Sequence, residues 1–116
     1  KKEFEKAAER WNNLADRFPR SYLAPIALSN AAAAWEEKGE RAKARASLER
    51  VLKTYETDYA DIPRVLFSLA RLQEEENQPE KAAEFYNQLL DRFASSSWTK
   101  LARDRIIYLK SIGKLK

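Results

Sequence analysis

The sequence predicts an all-α protein, an α-solenoid in which antiparallel helix pairs stack one upon the next. Three observations predict it. Apolar residues recur three or four apart, one segment returns at a fixed offset, and every proline lies at a segment boundary. The segment Glu5 to Phe18 (EKAAERWNNLADRF) matches Glu80 to Phe93 (EKAAEFYNQLLDRF) at ten of fourteen positions, 75 residues apart. A third copy lies midway, at Arg41 to Tyr55, where Lys43, Ala44, Leu48, Val51 and Tyr55 align with Lys6, Ala7, Trp11, Leu14 and Phe18. The period is therefore 37 to 38 residues. A closed helical bundle is the competing architecture, but helical composition alone does not produce a match of this length.

Six helices follow in order. The first, over 2–18, carries the stripe Ala7, Trp11, Leu14, Phe18. The second, over 22–38, carries Ile26, Leu28, Ala31, Ala32 and Trp35; Pro25 suits its first turn, where a missing N–H costs little, and Gly39 suits a left-handed stop. The third, over 40–55, repeats the first stripe as Ala44, Leu48, Val51, Tyr55, with Leu52 beside it. The fourth, over 61–76, has Pro63 early, then Val65, Leu66, Leu69, Ala70 and Leu72, and Asn77 as its stop. The fifth, over 79–93, opens on Pro79 and carries Ala82, Tyr86, Leu89, Leu90 and Phe93. Ser95-Ser96-Ser97 then reads as a linker and cap before the sixth helix, over 97–112. Eighteen alanines, abundant Glu, Lys, Arg and Leu, and the absence of any period-two alternation favour helix throughout. Alanine at 7, 44 and 82 predicts places where two helices approach closely. Trp11, Trp35, Tyr55, Tyr86 and Phe93 are predicted to be packing residues.

Composition bounds the chemistry. With 116 residues, 44% of them apolar, the chain can build a core of its own without disulfide or metal staples. It has no Cys and no His, which excludes Ser-His and Cys-His nucleophile pairs, thiol redox chemistry and nearly every zinc site. Two glycines cannot write either Gly-rich phosphate-binding pattern. The longest apolar run, Ala31 to Trp35, is far short of the ~18 residues of a membrane span. Glu36-Glu37 and Glu74-Glu75-Glu76 precede helix stops and lack the glycine-bearing loop of a calcium site, so no metal and no cofactor is expected. We expect no enzyme. Beginning at Lys1 rather than methionine, the chain reads as a piece of a longer protein.

The run Leu28-x2-Ala31-Ala32-x2-Trp35-x3-Gly39-x4-Ala44-x3-Leu48-x2-Val51 resembles a tetratricopeptide repeat, and Leu66-x2-Leu69-Ala70-x6-Asn77-x4-Ala82-x3-Tyr86-x2-Leu89 resembles a second. Phe18-Pro19 resembles the end of a repeat whose first helix is absent. On this resemblance the chain is one domain divided as 1–19, the second helix of a truncated repeat; 20–56 and 57–94, two repeats; and 95–116, a capping helix. The period exceeds the family's usual ~34, and the added residues fall in 20–24, 56–62 and 94–98. Such phrases as DRFPRSYLAPIAL resemble the longer linkers of bacterial cell-envelope members, which implies a periplasmic or envelope address as the soluble part of a longer anchored protein.

The resemblance implies a scaffold that binds a protein or peptide in a concave groove lined by the first helix of each pair. Asn30, Arg64, Phe67, Arg71, Arg105 and Tyr108 are the partner-binding residues it implies, with Ser29, Ala33, Ser68 and Asp104 beside them. Arg64 and Arg71, seven apart, can face one side and hold carboxylates; the other reading pairs them within their helix, Arg71 with Glu74 or Glu75. The Lys-and-Asn arrangement that clamps a C-terminal carboxylate in some family members is not reproduced. The alternative function is a structural or self-associating module with no ligand on this segment.

The charge is +4 overall, with six basic residues against one acid from Lys100 onward. That tail has too few aromatics for a nucleic-acid platform, so no nucleic acid is expected as a partner. Leu101, Ile106, Leu109 and Ile112 suggest instead a closing helix with a charged outer face. At the other end Phe4 and its apolar neighbours lack an upstream partner, which predicts a homodimer through residues 1–18.

Overall fold

Helix boundaries follow local chemistry closely. The computed structural model describes residues 2–57 and 59–116; Lys1, in the first expected segment, and Asp58, in the second expected linker, lie outside the described residues, as does the side chain of Lys2. Among the described residues run six α-helices and no strand: α1 (Lys2–Arg17), α2 (Leu23–Lys38), α3 (Arg41–Tyr55), α4 (Ile62–Glu75), α5 (Pro79–Arg92) and α6 (Ser97–Ser111). Each agrees with its expected span to within one residue at either end.

Helix stops show the repeat in atomic detail. Gly39 (φ 91°) and Asn77 (φ 60°) are left-handed, as expected, and so is Gly113 (φ 82°), which the sequence reading passed over. Each makes the same pair of reverse hydrogen bonds. Gly39 N–H donates to Glu36 O (2.9 Å) and Glu40 N–H to Trp35 O (2.8 Å). Asn77 N–H donates to Glu74 O (2.9 Å) and Gln78 N–H to Gln73 O (2.8 Å). Gly113 N–H donates to Lys110 O (3.1 Å) and Lys114 N–H to Leu109 O (2.9 Å). Starts are equally local. Pro63 and Pro79 occupy first turns, Ser21 Oγ accepts from Leu23 N–H (3.1 Å), and Ser96 Oγ accepts from Trp98 N–H (3.1 Å), the cap expected of the serine run.

The helices form two compact units, Lys1–Ala60 and Asp61–Lys116. In the first, α2 packs against both α1 and α3. Its Ala24, Ala27, Leu28, Ala31 and Ala32 are buried, so it offers a surface of small side chains on which two helices can lie close. From α3 it receives the expected stripe, Ala44, Leu48, Val51 and Tyr55, all buried. Tyr55 satisfies its hydroxyl by donating to Pro19 O (2.7 Å). Ion pairs Lys38–Glu5 (3.2 Å) and Arg50–Asp16 (2.7 Å) lie at the edges.

The first helix departs from expectation. Ala8 and Ala15, not the Ala7 stripe, are its fully buried residues. Trp11, expected in the core, is 38% exposed; Phe18 is 51% exposed, and Ala7 and Leu14 are half-buried. The reason lies in the repeat. In α3 that stripe faces α2, whereas α1 meets α2 through a different strip one residue further round, the one that carries Ala8 and Ala15.

In the second unit α4 packs on α5, and α6 packs on both. Leu66, Leu69, Ala70, Leu72, Ala82, Tyr86, Leu89, Ala102 and Leu109 are buried, and Phe93 is half-buried. Thr99 is buried without strain because its hydroxyl donates to Leu89 O (3.3 Å) and Phe93 O. The sixth helix corrects a second expectation. Leu109 is buried and Ile106 half-buried, but Leu101 and Ile112 are each 47% exposed, so the apolar stripe expected of a closing helix is only partly covered.

One hydroxyl is badly placed. Ser29 Oγ is buried with no hydrogen-bond partner, the single such side-chain atom among the described residues. Ser29→Ala removes an unsatisfied polar atom from a helix interior and improves helix propensity, so a gain of about 0.5–1 kcal/mol is expected in urea denaturation.

Candidate functional site

The fourth helix presents Arg64, Phe67, Ser68 and Arg71 along one strip, because positions three, four and seven apart lie on one side of a helix. Arg64 is exposed and pairs with Asp61 across one turn. Arg71 is half-buried and donates from Nη1 to Glu75 Oε2 (2.8 Å), which selects Glu75 rather than Glu74 as its partner. Both pairs are solvated, so each contributes only tenths of a kcal/mol. Phe67 is half-buried; its ring centroid lies 5.6 Å from Tyr86 and 5.2 Å from Trp98, so it joins α4 to both other helices of the unit.

Glu74 stands at the centre of the polar side of this unit. Its Oε2 accepts from the Tyr86 hydroxyl and from Arg105 Nε (3.1 Å), and its Oε1 accepts from Arg105 Nη2. The Arg105–Glu74 pair is thus bidentate and joins α6 to α4. Burial disfavours the Glu74 charge, but the hydrogen bonds from Arg105 and Tyr86 outweigh it and hold the carboxyl below its ordinary pKa. Tyr86 is pushed up, first by burial and then by its bond to Glu74, so it stays a donor. Arg105 is raised chiefly by its hydrogen bond to Glu74. Its guanidinium also lies 4.7 Å from the Tyr108 ring centroid, and Tyr108 is half exposed.

Of the six residues implied as partner-binding, the second unit brings five together on two packed helices: Arg64, Phe67 and Arg71 on α4, Arg105 and Tyr108 on α6. Asn30 is exposed on α2 in the first unit. Sequence reasoning did not single out the Glu74–Tyr86–Arg105 cluster. A signal existed, since Glu74 aligns with Glu36, but only tertiary packing places Arg105 beside it. No group of three or more Asp and Glu among the described residues is arranged to hold a metal ion, and no described helix is long and apolar enough to cross a membrane.

Helix pairs repeating with the same stop, the same alanine and the same apolar stripe define a helical-repeat protein that presents side chains on helix faces. The sequence profile of the tetratricopeptide repeat matches residues 27–57 and 64–96, more than half of the chain, and the chain belongs to that family. It is also 33% identical over 113 residues to a TPR repeat-containing protein of Treponema pallidum (strain Nichols), a match covering 97% of this chain and 46% of the relative. The chain therefore spans about half the length of the curated relative it matches. No solved structure matches significantly. Tetratricopeptide repeats form helical solenoids and in general mediate protein–protein interaction.

Proposed function

We propose that this chain is a non-enzymatic scaffold that binds an acidic segment of a protein or peptide along the α4 face, with Arg64 and Arg71 receiving its carboxylates and Phe67 and Tyr108 supplying flanking contacts. The observation that carries the reading is the strip itself. Two arginines two turns apart, on a helix held from behind by buried leucines, are presented without the ordering entropy that a loop would lose on binding. Their pairs with Asp61 and Glu75 are solvated and weak, so a partner's carboxylates replace them at small cost. Arg105 has a different role: held by both Glu74 oxygens, it keeps α6 against α4 and positions Tyr108. The longer linkers support a place in a bacterial envelope complex.

The test is the Arg64→Ala/Arg71→Ala double variant of the full-length protein. Affinity for the captured partner is expected to fall by about tenfold or more, with the melting temperature unchanged because both residues are solvated. Unchanged affinity overturns the assignment.

A further inference from the structure

Arg20, Ser21 and Tyr22, in the linker between α1 and α2, lie among the residues by which this repeat exceeds the family's usual length. With the end of α3 they enclose a pocket of about 410 Å³, within the ~300–1,000 Å³ range of ligand pockets. Four rings form its walls: Pro19 and Tyr22 from the linker, Pro25 from the first turn of α2 and Tyr55 from the last turn of α3. Tyr55 is buried and its hydroxyl donates to Pro19 O (2.7 Å), so one wall is tied to another across 36 residues of sequence. Phe18 and Phe93, which end the same stripe in the other two copies, have no hydroxyl with which to make that tie. Tyr22 is 80% exposed and presents its ring to whatever enters. The polar groups of the lining are donors. Pro19 and Pro25 have no N–H, and Ser21 Oγ already accepts from Leu23 N–H (3.1 Å), which leaves its own proton to give. Tyr22 and Thr54 add hydroxyls, and Arg20 adds the one charge in the lining. Among the described residues no hydrogen bond or ion pair engages the side chains of Arg20, Tyr22 or Thr54.

We infer that this pocket binds a proline-rich, extended segment of a partner protein that carries an acidic residue beside its prolines. A polyproline II segment has no internal hydrogen bonds and its prolines have no N–H, so its backbone offers carbonyl oxygens alone. Such a ligand needs rings to pack on and donors to meet those carbonyls. Tyr22, Tyr55, Pro19 and Pro25 supply the rings, and the hydroxyls of Ser21, Tyr22 and Thr54 supply the donors. A helical ligand satisfies most of its own carbonyls and has little use for them. Charge sets the flank: Arg20, with no acid in the lining beside it, favours a carboxylate next to the prolines. Both sides are stiff, because the proline segment is ordered before it binds and the Tyr55 bond holds the linker wall, so little conformational entropy is lost. The pocket belongs wholly to the first unit and shares no residue with the α4 strip, so it stands independently of the Arg64 and Arg71 reading.

Fluorescence anisotropy of the full chain with a labelled peptide of six prolines followed by two aspartates tests it. Binding is expected with a Kd below about 1 mM. A peptide of six prolines followed by two lysines, and one in which glycines and serines replace the prolines before the aspartates, are each expected to bind at least about tenfold more weakly. Tyr22→Ala is expected to weaken the proline–aspartate peptide by about tenfold or more, and Arg20→Glu to reverse the preference in favour of the lysine peptide. Both residues are exposed, so helicity by circular dichroism and the melting temperature are expected to be unchanged. The Arg64→Ala/Arg71→Ala variant is expected to bind the proline–aspartate peptide as the unsubstituted chain does. No binding up to about 1 mM overturns the inference. So does equal affinity for the glycine–serine peptide, which would mean that the carboxylates alone are read. So does affinity that is lost in Arg64→Ala/Arg71→Ala and kept in Tyr22→Ala, which would put the peptide on α4.

Discussion

Glu74→Ala is expected to destabilise the second unit by about 2–3 kcal/mol and lower its melting temperature by about 10 °C. The loss comes from what the carboxylate leaves behind. Tyr86 is 1% exposed and donates its hydroxyl to Glu74, so truncation strands a buried donor and at the same time breaks the bidentate bond that ties α6 to α4. Glu74→Gln keeps an acceptor for Tyr86 but loses the charge, and a smaller loss of about 1 kcal/mol is expected. The pH dependence separates the two contributions. Because the folded pKa lies below the unfolded one, the folded state binds fewer protons, and the Glu74 contribution is complete above about pH 4.3 and is lost as pH falls through the lowered folded value. Urea melts at neutral pH and near pH 3 are therefore expected to show a steeper acid loss for the unsubstituted protein than for Glu74→Gln. Equal slopes would show that the Arg105 and Tyr86 bonds do not hold the carboxylate.

A double substitution of two small residues, Ala8→Leu/Ala15→Leu, is expected to destabilise the first unit by about 2–5 kcal/mol, while Trp11→Ala in dilute solution changes it by about 1 kcal/mol or less. The order inverts what side-chain size alone suggests. Ala8 and Ala15 are fully buried where α1 meets α2, itself surfaced with alanines, and a γ-branched side chain there must push two close helices apart. Trp11 has solvent on one side, and its removal opens no enclosed cavity. Thermal denaturation of the three proteins at one low concentration checks the order. A larger loss for Trp11→Ala would mean that the stripe is covered within the molecule.

Much of the architecture was legible because its determinants are local. Pro25, Pro63 and Pro79 open helices, Gly39 and Asn77 close them, and apolar spacing marks a face, each through interactions that span at most a few residues. Gly113 carries the same local signal at the end of α6. The candidate site was legible in part: the strip through Arg64, Phe67 and Arg71 follows from helical geometry alone. That Arg105 is held by Glu74, and that Phe67 packs on Tyr86 and Trp98, could not be read, since those partners lie 19 to 31 residues away and meet only when three helices fold together.

The sequence by itself determined the six helices, their limits, the period that relates them and the family to which they belong. Only the tertiary structure decided which repetition of a shared stripe is covered. The same alanine-led pattern is core in α3 and α5 and surface in α1, because burial belongs to a pair of helices, whereas periodicity belongs to one.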